Sequence, residues 1–370
     1  MSEYQYYEFL AIDHSLDAGV QEKLRSISSR AEITATSFTN HYEWGDLKGD
    51  PHKFMEAWFD LHVYVANWGA RRLMIRVPRP ALDPSDAEPF LSDIDWVAMS
   101  VSGDNVIVDI SRYELDIDEW DDGSHWMAKL APLRADLLCG DLRLFYLIWL
   151  TAVEEELISN EELEPLPGIG PLSGALESLG EFLLIDPDLL QAAAENAAAA
   201  GQSQDELRDA IGTISEHEKI QLLLRVVDGD AHVASELKRR FRQKDAACVT
   251  QRTAGDLRAR RQQVAAARER ADAERQEAER RRQAEHDKKA REVRLKALKQ
   301  RGEAVWREIE TEVERRNASG YDNAAALLSD FKALAGEQGT TAEFVRRIAD
   351  IRARHNTKRK FLERLDDIQP

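Results

Sequence analysis

Short runs of apolar residues, several of them alternating with polar ones, fill the first 126 residues and are typical of strands with helices between them. Runs rich in aromatic and β-branched residues predict strands at 4–12, 32–39, 71–77, 96–101 and 106–111. The last two flank a turn around Gly103 and predict a β-hairpin. Helices are predicted at 15–28 and 51–67, the second opened by Asp50 and Pro51. Together these elements predict an α+β sandwich with a mainly antiparallel sheet.

A helical pattern begins at residue 127. The segment 141–158 is apolar almost all round in its middle, which predicts the buried central helix of the body. Prolines and glycines between 160 and 173 predict a linker, and short helices follow it. Their start signals are Asp186 with Pro187, Ser203 with Glu206, and Ser215 with Glu218. This part is predicted to be a helical bundle packed on the sandwich.

Thr253 precedes a different pattern, because residues 254–316 contain no proline and two glycines, Gly255 near the start and Gly302. A continuous helix would be about 90 Å long at about 1.5 Å per residue. A coiled-coil seam started at Leu257 and Val264 runs into alanine and glutamate, which leaves too little apolar surface for a stable dimer. Charge pairs at helical spacing, each contributing about 0.2 to 0.5 kcal/mol, predict a single charged helix instead. These pairs are Glu277–Arg281, Glu285–Lys289, Asp287–Arg291 and Glu292–Lys296.

The tail is predicted to form a small helical module, with Gly320 ending the far portion of the charged segment. Helices at 321–335 and 341–354 form a hairpin, and Thr340 with Glu343 gives the second one a capping box. Their apolar positions predict a shared core of Trp306, Ile309, Phe331, Leu334, Phe344, Ile348, Ile351, Phe361 and Leu365.

The predicted fold class is therefore α+β and mostly helical. Four segments are expected: an α+β sandwich at 1–126, a helical bundle at 127–250, a long charged helix at 251–317 and a C-terminal helical hairpin at 318–370.

Charge is distributed very unevenly along these segments. Residues 1–235 carry 44 acidic and 16 basic side chains, residues 236–300 carry 11 and 21, and residues 301–370 carry 13 of each. An acidic body repels nucleic acid and anionic lipid, whereas the basic middle segment attracts either, or an acidic protein surface.

Compartment and membrane association follow from simple features. The two cysteines, Cys139 and Cys248, lie in different segments, so a reducing compartment and a cytoplasmic location are expected. The longest apolar run, Leu144–Val153, is too short to cross a bilayer. We therefore expect a soluble protein without a membrane partner.

The tail resembles the C-terminal helical module of some bacterial proteins that carry a SWIM-type zinc finger. The similarity covers about 65 residues and rests on Trp306, Tyr321-Asp322, Leu327-Leu328, Phe344, Arg347, His355 and Phe361-Leu362. Two distant cysteines cannot supply the ligands of the finger, so no metal role is implied. The whole chain resembles an uncharacterised bacterial family whose members begin YYEFLAID, which implies no function.

A polar loop between two packed elements is the most function-like group in the body. Its candidate interaction residues are His41, Glu43, Trp44, Asp46 and Lys48, with Arg72 from a nearby strand. The competing interpretation, which we favour, is a loop that uses Trp44 to plug the sandwich.

An acidic loop is a candidate calcium site. It contains Asp116, Asp118, Glu119, Asp121, Asp122 and His125. Trp120 occupies a ligand position in either register of an EF-hand-like loop, so a solvated acidic loop is the better interpretation. His62 is interpreted as a core histidine of the helix 51–67. The chain has no HExxH, paired CxxC, P-loop or G-x-S-x-G motif, so no catalytic residue, metal ligand or cofactor is predicted.

Cations in the charged segment are the remaining candidates. Arg280, Arg281, Arg282, Lys288, Lys289 and Arg294 are possible contacts for anions or partners. Interleaved acidic residues and the lack of aromatic residues favour a solvated helix face over nucleic-acid binding.

The first hypothesis for function is a non-enzymatic scaffold or adaptor in which the charged helix holds two folded ends apart and each end binds a protein partner. Two alternatives stay open: a nucleic-acid-associated component that uses the basic helix, and an enzyme or regulatory subunit with its site in the N-terminal domain. A deep pocket lined by His41, Glu43, Asp46 and Arg72 would favour the enzyme. The sequence leaves the oligomeric state open.

Overall fold

The computed structural model describes residues 3–117, 120–166, 168–196, 208–209, 211–229, 233, 237, 251–366 and 368. Contacts divide the chain into two compact units, Met1–Arg268 and Glu269–Pro370. The boundary between them lies inside one helix, so the four predicted segments stay a prediction about domains. The capping pair Ser203 and Glu206 lies outside the described residues.

An antiparallel sheet of seven strands forms the centre of the first unit. The strand order is β2-β3-β1-β4-β5-β7-β6, and every neighbouring pair is antiparallel. The strands are β1 Gln5–Leu10, β2 Glu32–Ile33, β3 Ser37–Tyr42, β4 Leu61–Ala66, β5 Ala70–Pro78, β6 Val97–Ser102 and β7 Asn105–Arg112. The predicted α+β class, mostly helical with an antiparallel sheet at the N-terminus, is confirmed.

Helices cover both faces of the sheet. Apolar residues of β4, β5 and β7 pack on one face against α4 to α8, whereas Phe9 of β1 and Phe38 of β3 pack on the other face with α1 and α2. The helices are α1 Ala18–Ile27, α2 Pro51–Ala57, α3 Pro84–Ala87, α4 Trp126–Leu130, α5 Pro132–Leu138, α6 Arg143–Glu154, α7 Gly174–Leu183, α8 Pro187–Ala194 and α9 Glu216–Val227. All ten residues from Leu144 to Val153 are buried, which confirms α6 as the central helix.

The predicted helix at 51–67 is wrong. Asp50 caps a helix as expected, because its Oδ1 accepts a hydrogen bond of 2.9 Å from the His52 amide, but that helix ends at Ala57. Residues 61–66 form β4 between β1 and β5, where Leu61, Val63 and Val65 face one core and alternate with polar residues. Pairing on both sides at the centre of the sheet overrides the helical spacing that these apolar positions also satisfy.

The long helix, α10, runs from Ala254 to Arg301 over 48 residues. The Thr253 hydroxyl accepts a hydrogen bond of 3.1 Å from the Asp256 amide, and the Asp256 carboxylate accepts one of 2.9 Å from the Thr253 amide, so a reciprocal capping box opens it. Gly302, with φ 48° and ψ −124°, ends it. The expectation of one helix through residue 316 is therefore wrong.

After Gly302, the described residues of the second unit form α11 Glu303–Glu314, α12 Ala318–Gln338, α13 Thr341–Arg354 and α14 Arg359–Asp366. The predicted core forms and also contains Leu295 and Leu298 of α10. Gly320 does not end a helix but lies in the first turn of α12, where its amide donates to Asn317 Oδ1 at 2.7 Å. The predicted Thr340 capping box is also wrong, because ψ 24° at Thr340 departs from the extended backbone of an N-cap and its side chain makes no capping bond.

Gly302 offers a test of the helix boundary. We expect Gly302→Ala to destabilise the second unit by about 1 to 3 kcal/mol, because its backbone conformation is strained for any residue with a Cβ. Gly336→Ala is the matched control: it lies within α12 with open space around the added Cβ, and we expect a gain of about 0.5 to 1 kcal/mol. Urea unfolding followed by circular dichroism at 222 nm measures both, and equal effects would contradict the assignment.

Candidate functional site

A network of tyrosines and one glutamine lies where β1 and β4 meet. The Tyr7 and Tyr64 hydroxyls donate to Gln5 Oε1 at 2.7 and 3.1 Å. Gln5 Nε2 donates in turn to Asp46 Oδ1 at 2.7 Å and to the Gly45 carbonyl at 3.0 Å. Burial raises the pKa of Tyr7 to about 12, so its hydroxyl stays a donor at neutral pH. This network places Asp46, one of the predicted surface residues, against the sheet.

Arg72 extends the same polar surface across β5. It lies opposite Tyr64 in the register and holds Asp109 through two bonds of 2.8 and 2.6 Å, with Ser111 Oγ also donating to Asp109 at 3.1 Å. The hydrogen bond to Asp109 raises the pKa of Arg72. Both groups are satisfied by each other, so the arrangement is typical of a structural ion pair rather than of a site that waits for a substrate.

His62 is a fully buried core histidine, but it lies on β4 and not on a helix. Its ring stacks on Phe9 with centroids 3.9 Å apart, and Nδ1 lies 2.9 Å from the Glu8 carbonyl oxygen, so Nδ1 carries the proton. Within the described part of the chain, Nε2 has no hydrogen-bond partner. Burial lowers the pKa of His62 to about 3, so the ring is neutral at physiological pH.

The other candidates of the loop lie at the end of the sheet where β1 begins and β3 ends. His41 stacks on Tyr4 with centroids 6.3 Å apart, and Tyr4 packs on Trp120 at 5.0 Å. Burial raises the pKa of Tyr4, and the carboxylates of Asp122, Asp121 and Glu43 add to the shift, which places Glu43 near this ring.

The prediction that Trp44 plugs the sandwich is wrong, because 71% of this residue is exposed. Lys48 is exposed as well. The structure thus connects Asp46 to the tyrosine network, places Arg72 opposite Tyr64 on the neighbouring strand, and places His41 and Glu43 near Tyr4. The sequence did not identify Tyr4 and Trp120 as candidate site residues. They come together only in the folded sheet, at the end where β1 begins.

The acidic loop brings together Asp121, Asp122 and His125, whose potential ligand atoms lie within 4.8 Å of one another. Asp121 accepts hydrogen bonds from Trp126 Nε1 at 2.6 Å and from the Gly123 amide at 2.8 Å. Asp122 caps the following turn by accepting from the Ser124 amide at 3.0 Å. These bonds give the carboxylates a structural role in the loop. Asp118 and Glu119 lie outside the described residues.

A buried ion pair holds the start of α10 on the first unit. Glu164 is 0% exposed, and Arg252 approaches it with Nε at 3.1 Å and Nη2 at 2.9 Å. The Tyr146 hydroxyl donates to the same carboxylate at 2.8 Å. Arg252 also donates to the carbonyls of Ala192 at 2.8 Å and Ala193 at 3.0 Å. The pair therefore ties α6, α8 and the start of α10 together.

More arginines continue this attachment along the first four turns of α10. Arg258 donates to the Val153 and Ile158 carbonyls, Arg261 pairs with Asp186 at 2.5 Å, and Arg268 pairs with Asp188 at 2.9 Å. They line a cavity of about 500 Å³ together with Glu154 and Glu156. Neither this cavity nor a second of about 270 Å³ beside α3 is lined by the loop 41–48 or by Arg72.

The middle of α10 has a different environment. From Glu269 to Arg294 every side chain is exposed except the half-buried Asp272. Of the four charge pairs predicted in this helix, Glu277–Arg281 forms at 2.5 Å, and the described side chains place the other three beyond ion-pair distance. Arg280, Arg282, Lys288 and Lys289 are exposed, whereas Arg294 pairs with Asp330 of α12 at 2.6 Å.

No family model, curated protein or solved structure matches the chain. The similarity of the tail to the module of SWIM-type proteins therefore stays a prediction. Among the described residues, no helix is both long and apolar enough to span a bilayer.

The buried pair gives the first test of this site. We expect Glu164→Gln to lower the free energy of unfolding of the first unit by about 3 kcal/mol, because it leaves the half-buried Arg252 guanidinium without its partner charge. Urea unfolding followed by tryptophan fluorescence measures it. Glu161→Gln, an exposed change three residues earlier, serves as the control and should match the wild type. Indistinguishable variants would contradict a structural role for the pair.

The second test is the pH dependence that His62 imposes. Its folded pKa lies below the unfolded value of 6.5, so its contribution is complete above pH 6.5 and is lost as pH falls toward about 3. We expect a loss of about 2 kcal/mol between pH 6.5 and 5.0 from this group. His62→Phe should reduce the pH dependence by that amount, whereas the exposed control His14→Gln should retain it. An unchanged slope for His62→Phe would show that the ring takes up a proton in the folded state.

Proposed function

We propose that the protein is a scaffold or adaptor in which α10 is a stiff connector and each folded unit binds a protein partner. The proposal rests on the exposed stretch Glu269–Arg294 in the middle of α10. The two ends of this helix belong to different cores. Leu257 is part of the core of the first unit, and Leu295 and Leu298 are part of the core of the second.

The chemistry of this stretch supports a connector. Its sequence is rich in arginine, glutamate and alanine, which favour helix in water, and it contains neither proline nor glycine. Arginines of the first four turns are held by carboxylates and carbonyls, so the attachment resists rotation as well as separation.

Binding of nucleic acid is the second candidate, favoured by the exposure of Arg280, Arg282, Lys288 and Lys289. Glutamates at 277, 279 and 285 are exposed on the same stretch and reduce its attraction for phosphate. The adaptor is therefore the better supported of the two.

Stiffness of the connector can be measured directly. Spin labels at Arg270→Cys and Arg291→Cys, in a Cys139→Ser and Cys248→Ser background, should give a narrow distance distribution, because their backbones are separated by about 32 Å in a continuous helix. Ala284→Pro should broaden it, since proline inside a helix costs about 3 kcal/mol, and Ala284→Ser is the control. A broad distribution in the parent protein would contradict a stiff connector.

Partner binding is tested by photo-crosslinking in the native host. Crosslinking residues at Trp44 of the first unit and Val345 of the second, both exposed, should each give a discrete protein adduct, and the two adducts should differ. Adducts of DNA or RNA from position 282, without protein adducts at the other positions, would favour the second candidate and contradict the adaptor.

A further inference from the structure

Exposed aromatic rings collect at one end of the sheet in the first unit. Among the described residues, every exposed tryptophan, tyrosine or phenylalanine lies in the loops at this end, where β1 begins and where β3, β4 and β7 end. We call these residues the aromatic rim: Trp44, Trp68, Tyr113 and Trp120, which are 71%, 46%, 65% and 67% exposed. Large aromatic side chains left in water at one place mark a binding surface.

The loops that carry the rim are fixed by their backbones. Tyr4 and Asn67 exchange two hydrogen bonds of 3.0 and 3.1 Å. These bonds hold the turn that contains Trp68 beside the start of β1, where Tyr4 packs on Trp120. The Leu115 amide donates to the Gly69 carbonyl at 2.9 Å, which joins the loop of Tyr113 to the same turn. Gly69 is required there, because a Cβ would lie 2.1 Å from the Leu115 oxygen. Trp68 and Tyr113 are therefore carried by turns whose backbones are held in place, which lowers the entropy cost of binding there.

The charge of the same loops identifies what the rim attracts. The loops that carry the rings also carry exposed carboxylates, among them Glu43, Asp46, Glu114, Asp116 and Asp122. Lys48 is the one exposed lysine or arginine in the described residues of these loops. A surface that combines aromatic faces with carboxylates complements guanidinium and ammonium groups, which stack on the rings and pair with the acids.

The protein already uses this contact in its interior. Arg112 lies over the Trp96 ring at 4.5 Å, and Arg71 lies over the Trp126 ring at 5.1 Å. The rim presents indole faces of the same kind outside the molecule.

We propose that the aromatic rim binds an arginine- or lysine-rich segment of a protein partner, with cationic side chains stacked on Trp120 and Trp44 and paired with Glu43 and its neighbouring carboxylates. The proposal rests on the adaptor function, because it names the chemistry of the partner of the first unit.

Calorimetric titration of the full chain tests the rim. The probe is an eight-residue peptide of alternating arginine and glycine, and the matched probe replaces each arginine by citrulline, which has the same shape without the charge. The arginine peptide should bind and the citrulline peptide should bind at least tenfold more weakly. Trp120→Ala and Glu43→Gln should each weaken binding by roughly five- to tenfold. Asp104→Asn, which removes an exposed acid at the opposite end of the sheet, should leave the affinity unchanged.

Three results would overturn the proposal. Equal binding of the citrulline peptide would show that charge is not recognised. Unchanged affinity in both Trp120→Ala and Glu43→Gln, with circular dichroism spectra like that of the parent, would place the peptide elsewhere. Concentration-dependent dimerisation without peptide, abolished by Trp120→Ala, would make a second copy the occupant. None of these results alters the label distances across α10, so failure of the rim and failure of the connector are distinguishable.

Discussion

The ion pair between Glu164 and Arg252 is the contact on which the position of the long helix depends. These residues are 88 positions apart in the chain, and the carboxylate is entirely removed from water. Burying a carboxylate is unfavourable unless it is paired and hydrogen-bonded, and here Arg252 and Tyr146 together satisfy it. Burial would lower the pKa of Arg252, but the hydrogen bonds and charge of Glu164 raise it. Arg252 directly precedes the capping box at Thr253, so the helix begins from a residue that is held in place.

From this fixed point the helix passes through two different environments. The arginines of the following four turns find carboxylates and carbonyls on the first unit, and apolar Leu257 joins its core. Beyond Arg268 the described ion pairs of the helix are with its own neighbouring charges, until Arg294 pairs with Asp330 and Leu295 enters the second core. Charge thus serves two purposes along one element, since arginine first attaches the helix and then keeps it soluble and helical where nothing covers it.

Local signals predicted much of this architecture. The hairpin around Gly103, the buried α6, the caps at Asp50, Asp186 and Thr253, and the core of the second unit were all readable from periodicity and capping residues. Prediction failed where tertiary contacts decide. Residues 61–66 fit both a helical and an alternating pattern, and only pairing with β1 and β5 selects the strand. Gly302 was noticed, but its positive φ was not predictable from composition.

The candidate site was likewise predictable only in part. The loop 41–48 was identified from its residue types, yet the role expected for Trp44 was reversed because the sequence does not reveal that the sandwich closes without it. Tyr4 and Trp120 come beside His41 only through strand register, and the Glu164–Arg252 pair is invisible without the fold. Helical and strand periods report on local faces, whereas contacts across the sheet depend on topology.

Hydrogen exchange along α10 in the full chain tests the exposed connector most directly. Amides between residues 254 and 268 should exchange slowly, because packing on the first unit protects them. Amides between 269 and 293 should exchange much faster while circular dichroism still shows helix, because that stretch opens without breaking any contact outside itself. Equal, strong protection along both stretches would show that the middle of the helix is covered, and the connector would be contradicted.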